Sequence, residues 1–524
     1  MSRPRALPLA VAAAVLGVAL APAAARGAGL TPLQAAGKKL YVEGQGTGGA
    51  EINVLVGNDP APVPASVLPC ASCHGADGQG KPEGAVVPSI ITWTELMKPY
   101  GHAHPGRSHP AFDRRSLVRA VTEGIDPAGN RLDAAMPRYA LSRADGEALL
   151  AWLEVLERQG DPGVAPDALR VGTVLPTSGR LAGVGLAMRA ALEQAFAEVN
   201  ASGGINGRRL ELACAGYDAD RETGLAAARG LLRGKPVFAL VSGFAPGAEE
   251  EVAALAEAEG VPHVGPFTPF TRPGGARFTF YVSAGLAEQA RVLLDYAAAR
   301  LDLADPPLAV LRAEGKPFAA AAAAALAEAR ARGFTHVEER SVGAEGPGRE
   351  AVEALRAAKT EVVLLLGDDR ALAGLLRRAE AAGWSPFVLA PGTLVARAAA
   401  AAPPAFDGRL LLAYPALPGD ESEAGRARLE RLAAGKEGER HRAAEASALS
   451  AAAVFTEAVK RAGKQLSRAG LVASLEGLYE LDTGLGPPVS YGARRRVGAL
   501  GSYVVVVDLS KRTFRPVSGW MRLE

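Results

Sequence analysis

From residue 169 onward, short apolar runs alternate with alanine-rich stretches whose apolar residues recur at helical spacing. The apolar runs predict strands over 169–175, 210–214, 237–242, 262–265, 308–312, 337–341 and 361–366. The amphipathic stretches predict helices over 186–200, 221–233, 248–259, 286–300, 319–332 and 349–358. Such alternation implies parallel sheets covered by helices and joined by right-handed crossovers. Two series, about 170–285 and about 286–410, therefore predict two doubly wound lobes with a cleft between them, and residues 491–520 read as β-structure near the hinge.

Residues 30–160 follow a different pattern, in which loops rich in glycine, proline and histidine separate few helical stretches. The clearest helical stretch covers 142–157. Glycine and proline over 161–168 mark a linker to the α/β region. The 524-residue chain is therefore predicted to be multi-domain, with domains over 30–160 and 169–524.

The first 25 residues have the order that the secretion machinery reads. Arg3 and Arg5 precede an apolar run, and small residues follow up to Ala25. The alternative is a membrane anchor, but the uncharged stretch is interrupted by two prolines and consists largely of weakly apolar alanine. We predict a signal peptide over 1–25 that is cleaved after Ala25, export to the periplasm, and no stable membrane span afterwards.

Charge and cysteine content narrow the function further. Lysine plus arginine (58) nearly balances aspartate plus glutamate (56), which argues against nucleic acid as a partner. Of the three cysteines, Cys214 stands alone in an alternating strand-like segment and is predicted to be a buried, inert thiol.

The other two cysteines lie in the run Cys70-Ala71-Ser72-Cys73-His74. Covalent haem attachment needs two thiols spaced to meet two vinyl groups, with an imidazole beside the second thiol to ligate iron. The alternative is a metal or redox CxxC site, but the chain has no second CxxC for zinc and no βαβ context at this point. We therefore predict one covalently bound haem c on Cys70, Cys73 and His74.

The sixth iron ligand has several candidates, namely Met97, Met136, His102, His104 and His109. Met136 is favoured because Pro137 holds it in an extended loop that can present a thioether to a flat ring. The histidine cluster leaves three alternatives open: a surface loop, a secondary metal site or an alternative set of iron ligands.

With these ligands, residues 30–160 resemble a class I cytochrome c. The resemblance implies a small all-α domain with a first helix over 33–42, a Met-Pro loop and a closing helix, and it implies His74 and Met136 as the axial ligands. Methionine opposite histidine raises the reduction potential and suits electron transfer. The sequence departs from simpler members through an inserted loop over 47–68 and through the histidine cluster.

From residue 169 the chain resembles the type I periplasmic binding proteins of ABC transporters, in the branched-chain amino acid and amide group. The motifs that carry the resemblance are VGTVLPTSG at 171–179 and VNASGGING at 199–207. The positions that match the family's ligand loops are Ser178, Gly179, Ser242, Gly243, Phe267, Thr268 and Tyr281 in the first lobe, and Glu314, Asp368 and Tyr414 in the second.

Amino-acid binders commonly place a glutamate in a second-lobe loop, whereas the matching loop here, 389–393, has no carboxylate. The cleft is therefore expected to hold a small polar ligand other than an α-amino acid, such as an amide, a small carboxylate or an alcohol-derived metabolite, or no ligand.

These features together predict a periplasmic electron carrier fused to a ligand-binding module, with a dehydrogenase or an oxidase as redox partner. The alternative is a solute-binding protein of an ABC transporter with an accessory haem domain. An enzyme is not expected, because a coordinated Met136 leaves no vacant iron position. The chain also has no GxSxG, HExxH or P-loop lysine motif.

Overall fold

The computed structural model describes residues 30–57, 62–75, 77–80, 88–104, 107–157, 161–218, 220–234, 237–272, 276–303, 305–433, 441–464 and 466–523. The predicted signal peptide, 1–25, lies outside these residues. The chain divides into two compact units, Met1–Gln159 and Gly160–Glu524. Within the described parts of both units, no helix combines the length and the apolar character that a bilayer crossing requires.

The first unit is built on helices that enclose a small apolar core. Its helices are α1 (Pro32–Glu43), α2 (Cys70–His74), α3 (Trp93–Leu96), α4 (Arg114–Glu123) and α5 (Arg143–Leu156). Its short strands are β1 (Asn53–Leu55), β2 (Pro62–Pro64), β3 (His102–His104), β4 (Arg107–His109) and β5 (Arg138–Tyr139). Helices α1 and α5 match the predicted opening and closing helices.

Local sequence explains where these two helices begin and how they pack. Thr31 caps α1 and Ser142 caps α5, each through a reciprocal capping box. A Cβ at Gly37 would lie 1.9 Å from the Ala148 carbonyl oxygen, so only glycine lets α1 approach α5 this closely. Trp152 of α5 is almost fully buried in the core between them.

The described residues of the inserted loop, 47–57 and 62–68, include two short strands, β1 and β2. Strand β1 pairs with β2 on one side and with β5 on the other. Strand β5 begins two residues after Met136. The insertion therefore supports the segment that carries the predicted methionine ligand.

The second unit contains the α/β region. Its helices are α6 (Ala182–Ala201), α7 (Arg221–Gly234), α8 (Glu249–Ala258), α9 (Leu286–Arg300), α10 (Lys316–Ala331), α11 (Arg349–Ala357), α12 (Asp369–Ala381), α13 (Gly392–Ala400), α14 (Glu423–Ala433), α15 (Arg442–Ala462) and α16 (Arg468–Glu476). Its strands are β6 (Ala168–Pro176), β7 (Arg209–Tyr217), β8 (Ala239–Val241), β9 (His263–Val264), β10 (Thr279–Ser283), β11 (Leu308–Ala313), β12 (Val337–Val342), β13 (Val362–Leu366), β14 (Phe387–Pro391), β15 (Leu410–Tyr414), β16 (Val497–Ala499), β17 (Gly501–Asp508), β18 (Thr513–Pro516) and β19 (Met521–Arg522).

Two sheets form the two predicted lobes. The first has six parallel strands in the order β16-β10-β9-β8-β6-β7. The second has the order β12-β11-β13-β14-β15-β17-β18, with β19 pairing to β17. Its first five strands are parallel, and β17 joins them antiparallel to β15. The predicted two-lobed α/β fold is confirmed, and Cys214 lies half-buried in β7, where burial raises the pKa of its thiol.

The chain crosses between the lobes more often than the two predicted series suggested. Apolar residues of α14, α15 and α16 belong to the core of the first lobe, although they follow the second lobe's parallel strands in sequence. Strand β16 then adds to the edge of the first sheet, and β17 returns to the second. The predicted linker, 161–168, belongs to this unit: Ala168 begins β6, and the Asp161 carboxylate accepts a hydrogen bond from the Arg468 backbone nitrogen.

Candidate haem pocket and ligand cleft

The attachment motif lies on α2, where both thiols and the imidazole face one cavity of about 330 Å³. Cys70, Cys73 and His74 line it together with apolar side chains such as Leu149 and Leu153 of α5. Burial raises the pKa of the Cys70 thiol to about 11, so this sulfur is held neutral. The three residues that the motif places within five positions are thus brought to one apolar cavity.

His74 is oriented as an iron ligand requires. Its Nδ1 lies 2.9 Å from the backbone carbonyl oxygen of Ser89, an acceptor that favours a proton on Nδ1. Burial lowers the pKa of His74, which keeps the ring neutral. A neutral imidazole with Nδ1 engaged leaves Nε2 for coordination.

Met136 lines the same cavity from a loop that Arg138 braces. The Arg138 guanidinium donates hydrogen bonds to the backbone oxygens of Met136, Leu132 and Asp133. Gly124, with a φ of +69°, packs under this side chain, and a Cβ there would lie 1.9 Å from the Arg138 Nε. The methionine segment is therefore held by a side chain whose position depends on a glycine.

The other candidate ligands separate into two groups. His102 and His109 line the cavity, with ring centroids 5.0 Å apart, whereas Met97 and His104 are not among its lining residues. The pKa of His102 is lowered, mainly by burial and then by His109. Within the described residues, no group of three or more His, Cys, Asp or Glu side chains is arranged to hold a metal ion.

The residues present suit a covalently bound haem. The cavity offers two thiols, a neutral imidazole, a thioether and apolar walls, which are the donor types that c-type haem uses. When bound, the haem would supply a one-electron couple. The chain would attach it through Cys70 and Cys73 and would hold the iron through His74 and Met136.

A second and larger cavity, about 840 Å³, lies between the two lobes of the second unit. Five predicted ligand residues line it: Gly243, Phe267, Thr268 and Tyr281 from the first lobe and Glu314 from the second. Four of them, Gly243, Phe267, Thr268 and Glu314, lie just beyond the carboxyl end of a strand, because parallel strands end at one edge of their sheet and open loops there. Tyr281 lies in the middle of β10.

The other five predicted ligand residues lie outside the lining of this cavity. Ser178 is exposed and donates a hydrogen bond to Asp218 at 3.0 Å, and Gly179 follows it with a φ of +70°. Ser242 is fully buried with a φ of +57°. Asp368 caps α12 by accepting hydrogen bonds from the backbone nitrogens of the helix's first turn.

Tyr414 packs its ring against Gly392, the first residue of α13. The segment 389–393, predicted as a loop without a carboxylate, is the end of β14 and the start of α13. A Cβ at Gly392 would lie 2.3 Å from the tyrosine ring. Burial raises the pKa of Tyr414 to about 12, so its hydroxyl stays protonated. This tyrosine is therefore part of the packing between β15 and α13.

Several cavity residues were missed by sequence reasoning. Three phenylalanines join Phe267 in the lining, namely Phe244, Phe270 and Phe318, and they form two ring pairs with centroids 5.4 Å (Phe244–Phe267) and 5.3 Å (Phe270–Phe318) apart. One of them, Phe270, could have been found from the sequence, because it lies three residues after the predicted ligand residue Phe267. Phe318 became a lining residue only because α10 faces the opposite lobe.

Charged and polar groups in the lining complete the site. Its carboxylates are Glu249, Glu250, Glu251, Glu288 and Glu314, and its permanent cations are Arg272, Arg291 and Lys316. Arg272 pairs with Glu250, and Arg291 pairs with Glu328. Burial raises the pKa of Glu249 and of Tyr281, the latter to about 12. The lining is therefore aromatic and carries more carboxylates than cations.

His263 is a buried imidazole at the cavity wall. Its Nε2 lies 2.7 Å from the Ser242 carbonyl oxygen, and burial lowers its pKa to about 4. The ring is therefore neutral at physiological pH. His263 thus contributes an uncharged, hydrogen-bonding imidazole to the cavity wall.

Comparison with known proteins finds a family model that matches part of each unit. The family model described as periplasmic binding protein matches residues 168–512, and the one described as cytochrome c matches residues 66–157. No curated protein matches the chain.

Among solved structures, a fatty acid ABC transporter substrate-binding protein from Thermomonospora curvata is 18% identical with a TM-score of 0.55, covering 70% of this chain and 95% of its own. A leucine binding protein from Thermotoga maritima is 17% identical with a TM-score of 0.54, covering 68% and 99%. A putative branched-chain amino acid ABC transporter protein from Silicibacter pomeroyi is 17% identical with a TM-score of 0.56, covering 67% and 96%. At these identities the likeness shows the two-lobed fold of the second unit.

Proposed function

Because the chain belongs to the periplasmic binding protein family and carries a cytochrome c region ahead of that module, we propose that it is a periplasmic electron carrier with a ligand-binding module. The observation that supports the electron-transfer part is the convergence of Cys70, Cys73, His74 and Met136 on one apolar cavity. With His74 and Met136 both holding the iron, the haem would supply one-electron transfer and would leave no iron position for a substrate, so no enzyme activity is proposed for the chain itself. Its redox partner would be a periplasmic dehydrogenase or oxidase that approaches the haem edge through a small, transient interface.

The test is a visible spectrum of protein made with haem-maturation machinery, recorded oxidised and reduced. Wild type is expected to show the weak long-wavelength band of methionine-ligated ferric haem, and Met136→Ala is expected to lose it. Met97→Ala is the matched control, because Met97 belongs to the same core but does not line the cavity. A band that survives in Met136→Ala, or disappears in Met97→Ala, would reassign the ligand.

We propose in addition that the cleft captures a small ligand with an apolar, aromatic-sized body and a cationic or hydrogen-bond-donating head. Four phenylalanines and Tyr281 supply apolar and aromatic surface, and the excess of carboxylates favours a positive head. This proposal restricts the range of small polar ligands expected from the sequence. Of the candidates named there, a small carboxylate becomes the least favoured.

Two probes with similar bodies and opposite charge test this proposal. Phenethylamine is expected to raise the melting temperature of the full chain, whereas 3-phenylpropionate is not, because the lining repels an anion. Phe267→Ala should weaken the response to phenethylamine, and Ser178→Ala, outside the lining, should preserve it. Stabilisation by the carboxylate alone would reverse the charge assignment.

The alternative function, an ABC-transporter solute-binding protein with an accessory haem, is favoured by one observation, the size of the cleft cavity. It predicts that ligand binding is unchanged between the oxidised and reduced protein. A ligand affinity that depends on the redox state would instead support a carrier whose module senses its substrate.

A further inference from the structure

The histidine cluster that the sequence left unexplained forms a β-hairpin at the wall of the haem pocket. Strand β3 pairs with β4 so that His102 lies opposite His109. His102, Arg107 and His109 all line the cavity, and His109 is almost fully buried. We call β3 and β4 the histidine hairpin.

A buried carboxylate fixes the position of this hairpin. Asp126 is 0% exposed, and its carboxylate lies 3.4 Å from Nη1 of Arg107, whose side chain is 21% exposed. The Asn130 side chain donates one hydrogen bond to Asp126 at 2.9 Å and another to the Ser108 carbonyl oxygen at 3.0 Å. The guanidinium therefore lies beside a buried carboxylate, and Asn130 links that carboxylate to the backbone of the hairpin.

Few of the side chains that line this cavity are charged. Among the described residues that line it, Arg107 is the one side chain with a permanent positive charge, and Glu95 and Asp133 are acidic. Glu95 is engaged by Lys98 and lies 3.4 Å from His102. In the described part of the lining, the cavity thus has one fixed cation, which lies beside a buried carboxylate, and the other side chains are apolar, neutral or acidic.

The haem ring carries two propionate carboxylates, and the cavity that holds the ring must accommodate both. A carboxylate taken from water needs a cation or several hydrogen-bond donors to offset the lost hydration. A guanidinium is suited to this because its donors match a carboxylate in a two-bond arrangement. We propose that the histidine hairpin is the haem-propionate anchor, in which Arg107, positioned by Asp126, pairs with one propionate. This inference rests on the proposed covalent haem.

The experiment compares Arg107→Gln and Arg107→Lys with wild type in the full haem-loaded chain. The readouts are the midpoint potential and the propionate bending band in the resonance Raman spectrum. Arg107→Gln is expected to lower the potential, because a cation near the iron favours the reduced form, and to shift the Raman band. Arg107→Lys keeps the charge, so its potential should stay near wild type while the band shifts because the two-bond geometry is lost.

The matched control is Arg114→Gln, which removes an exposed arginine of the same unit that pairs with Glu154 and lies outside the cavity lining. It should change neither readout. A haem-loaded Arg107→Gln with wild-type potential and band would overturn the inference. If Arg107→Gln cannot be loaded, an unshifted band in Arg107→Lys would overturn it too. Failure of wild type to acquire covalent haem would instead refute the proposed function.

Discussion

The haem pocket and the interlobe cleft are built in opposite ways. Three of the four proposed haem residues lie within five positions of one another, and the fourth follows about sixty residues later on a braced loop. The cleft residues come from strand ends and helices spread from Val174 to Ala324 and from both lobes. Covalent haem attachment requires a fixed spacing between two thiols and an imidazole in the sequence. Ligand binding in a cleft requires only that residues from several strand ends and helices lie close together in the fold. The residues of the first site can therefore be predicted from the sequence, whereas those of the second can be predicted only in part.

The largest effect that would test this contrast is loss of the haem itself. Cys73→Ser is expected to abolish the covalent bond at that position, and the double variant Cys70→Ser with Cys73→Ser should carry no covalent haem. The measurement is haem-dependent peroxidase staining of the denatured chain on a gel. Cys214→Ser is the control, since this thiol lies in β7 of the second unit, and it should stain like wild type. Staining of the double variant would contradict a haem held by these two thiols.

A smaller effect is expected at the carboxylate behind the histidine hairpin. Burial alone would raise the pKa of Asp126, but hydrogen bonds from Asn130 and Ala128, with His109 nearby, hold it below its usual 3.8. A lowered pKa contributes stability that is present above pH 3.8 and is lost as the pH falls through the folded-state value. Asp126→Asn should therefore cost about 1–3 kcal/mol of unfolding free energy at pH 7.

The difference between Asp126→Asn and wild type should shrink below about pH 4, as the wild-type carboxylate protonates. Urea unfolding of the haem-loaded chain, followed by haem absorbance at pH 7 and pH 3.5, measures it. Glu147→Gln is the control, because this side chain is exposed in a simple i,i+4 pair. A difference that grows in acid would show that Asp126 is neutral in the folded protein.

The smallest effect, of opposite sign, is expected in the cleft. Burial is the main reason that the pKa of Glu249 is raised above its usual 4.5. A raised pKa contributes stability that is present below pH 4.5 and is lost as the pH rises through the folded-state value. Glu249→Gln should therefore be slightly more stable than wild type at pH 7 and equal to it in acid. Thermal melts of ligand-free protein at both pH values measure this, and destabilisation at pH 7 would mean that the ionised carboxylate has a partner in the fold.

Much of the second unit's architecture could be predicted because the spacing of its apolar residues identifies most of its helices and strands. Strand β6, for example, was predicted over 169–175 and runs over Ala168–Pro176, since a buried parallel strand needs a continuous apolar run. The short strands β1 and β2 of the inserted loop were not predicted. They are three residues long, and β1 pairs with β5, whose residues lie about 85 positions further along the chain.

The cleft shows the same limit in its side chains. Gly243, Phe267, Thr268, Tyr281 and Glu314 could be placed at the cavity because a family's loop positions follow strand ends. Ser178 and Asp368 follow strand ends and Tyr414 ends β15, yet each is engaged by contacts within its own lobe. Which loop residues enter a cavity depends on lobe packing, and sequence spacing does not encode it.

By itself, the sequence determined the attachment chemistry, the division into a loop-rich haem region and an α/β region, and the alternation of strands and helices. These follow from short-range constraints: thiol spacing, side-chain periodicity and capping residues. The tertiary structure alone decided that α14–α16 complete the first lobe, that the aromatic pairs line the cleft, and that the histidine hairpin faces the haem pocket. These depend on long-range contacts, such as the burial of Asp126 against Arg107, whose partners are chosen by packing and charge in three dimensions.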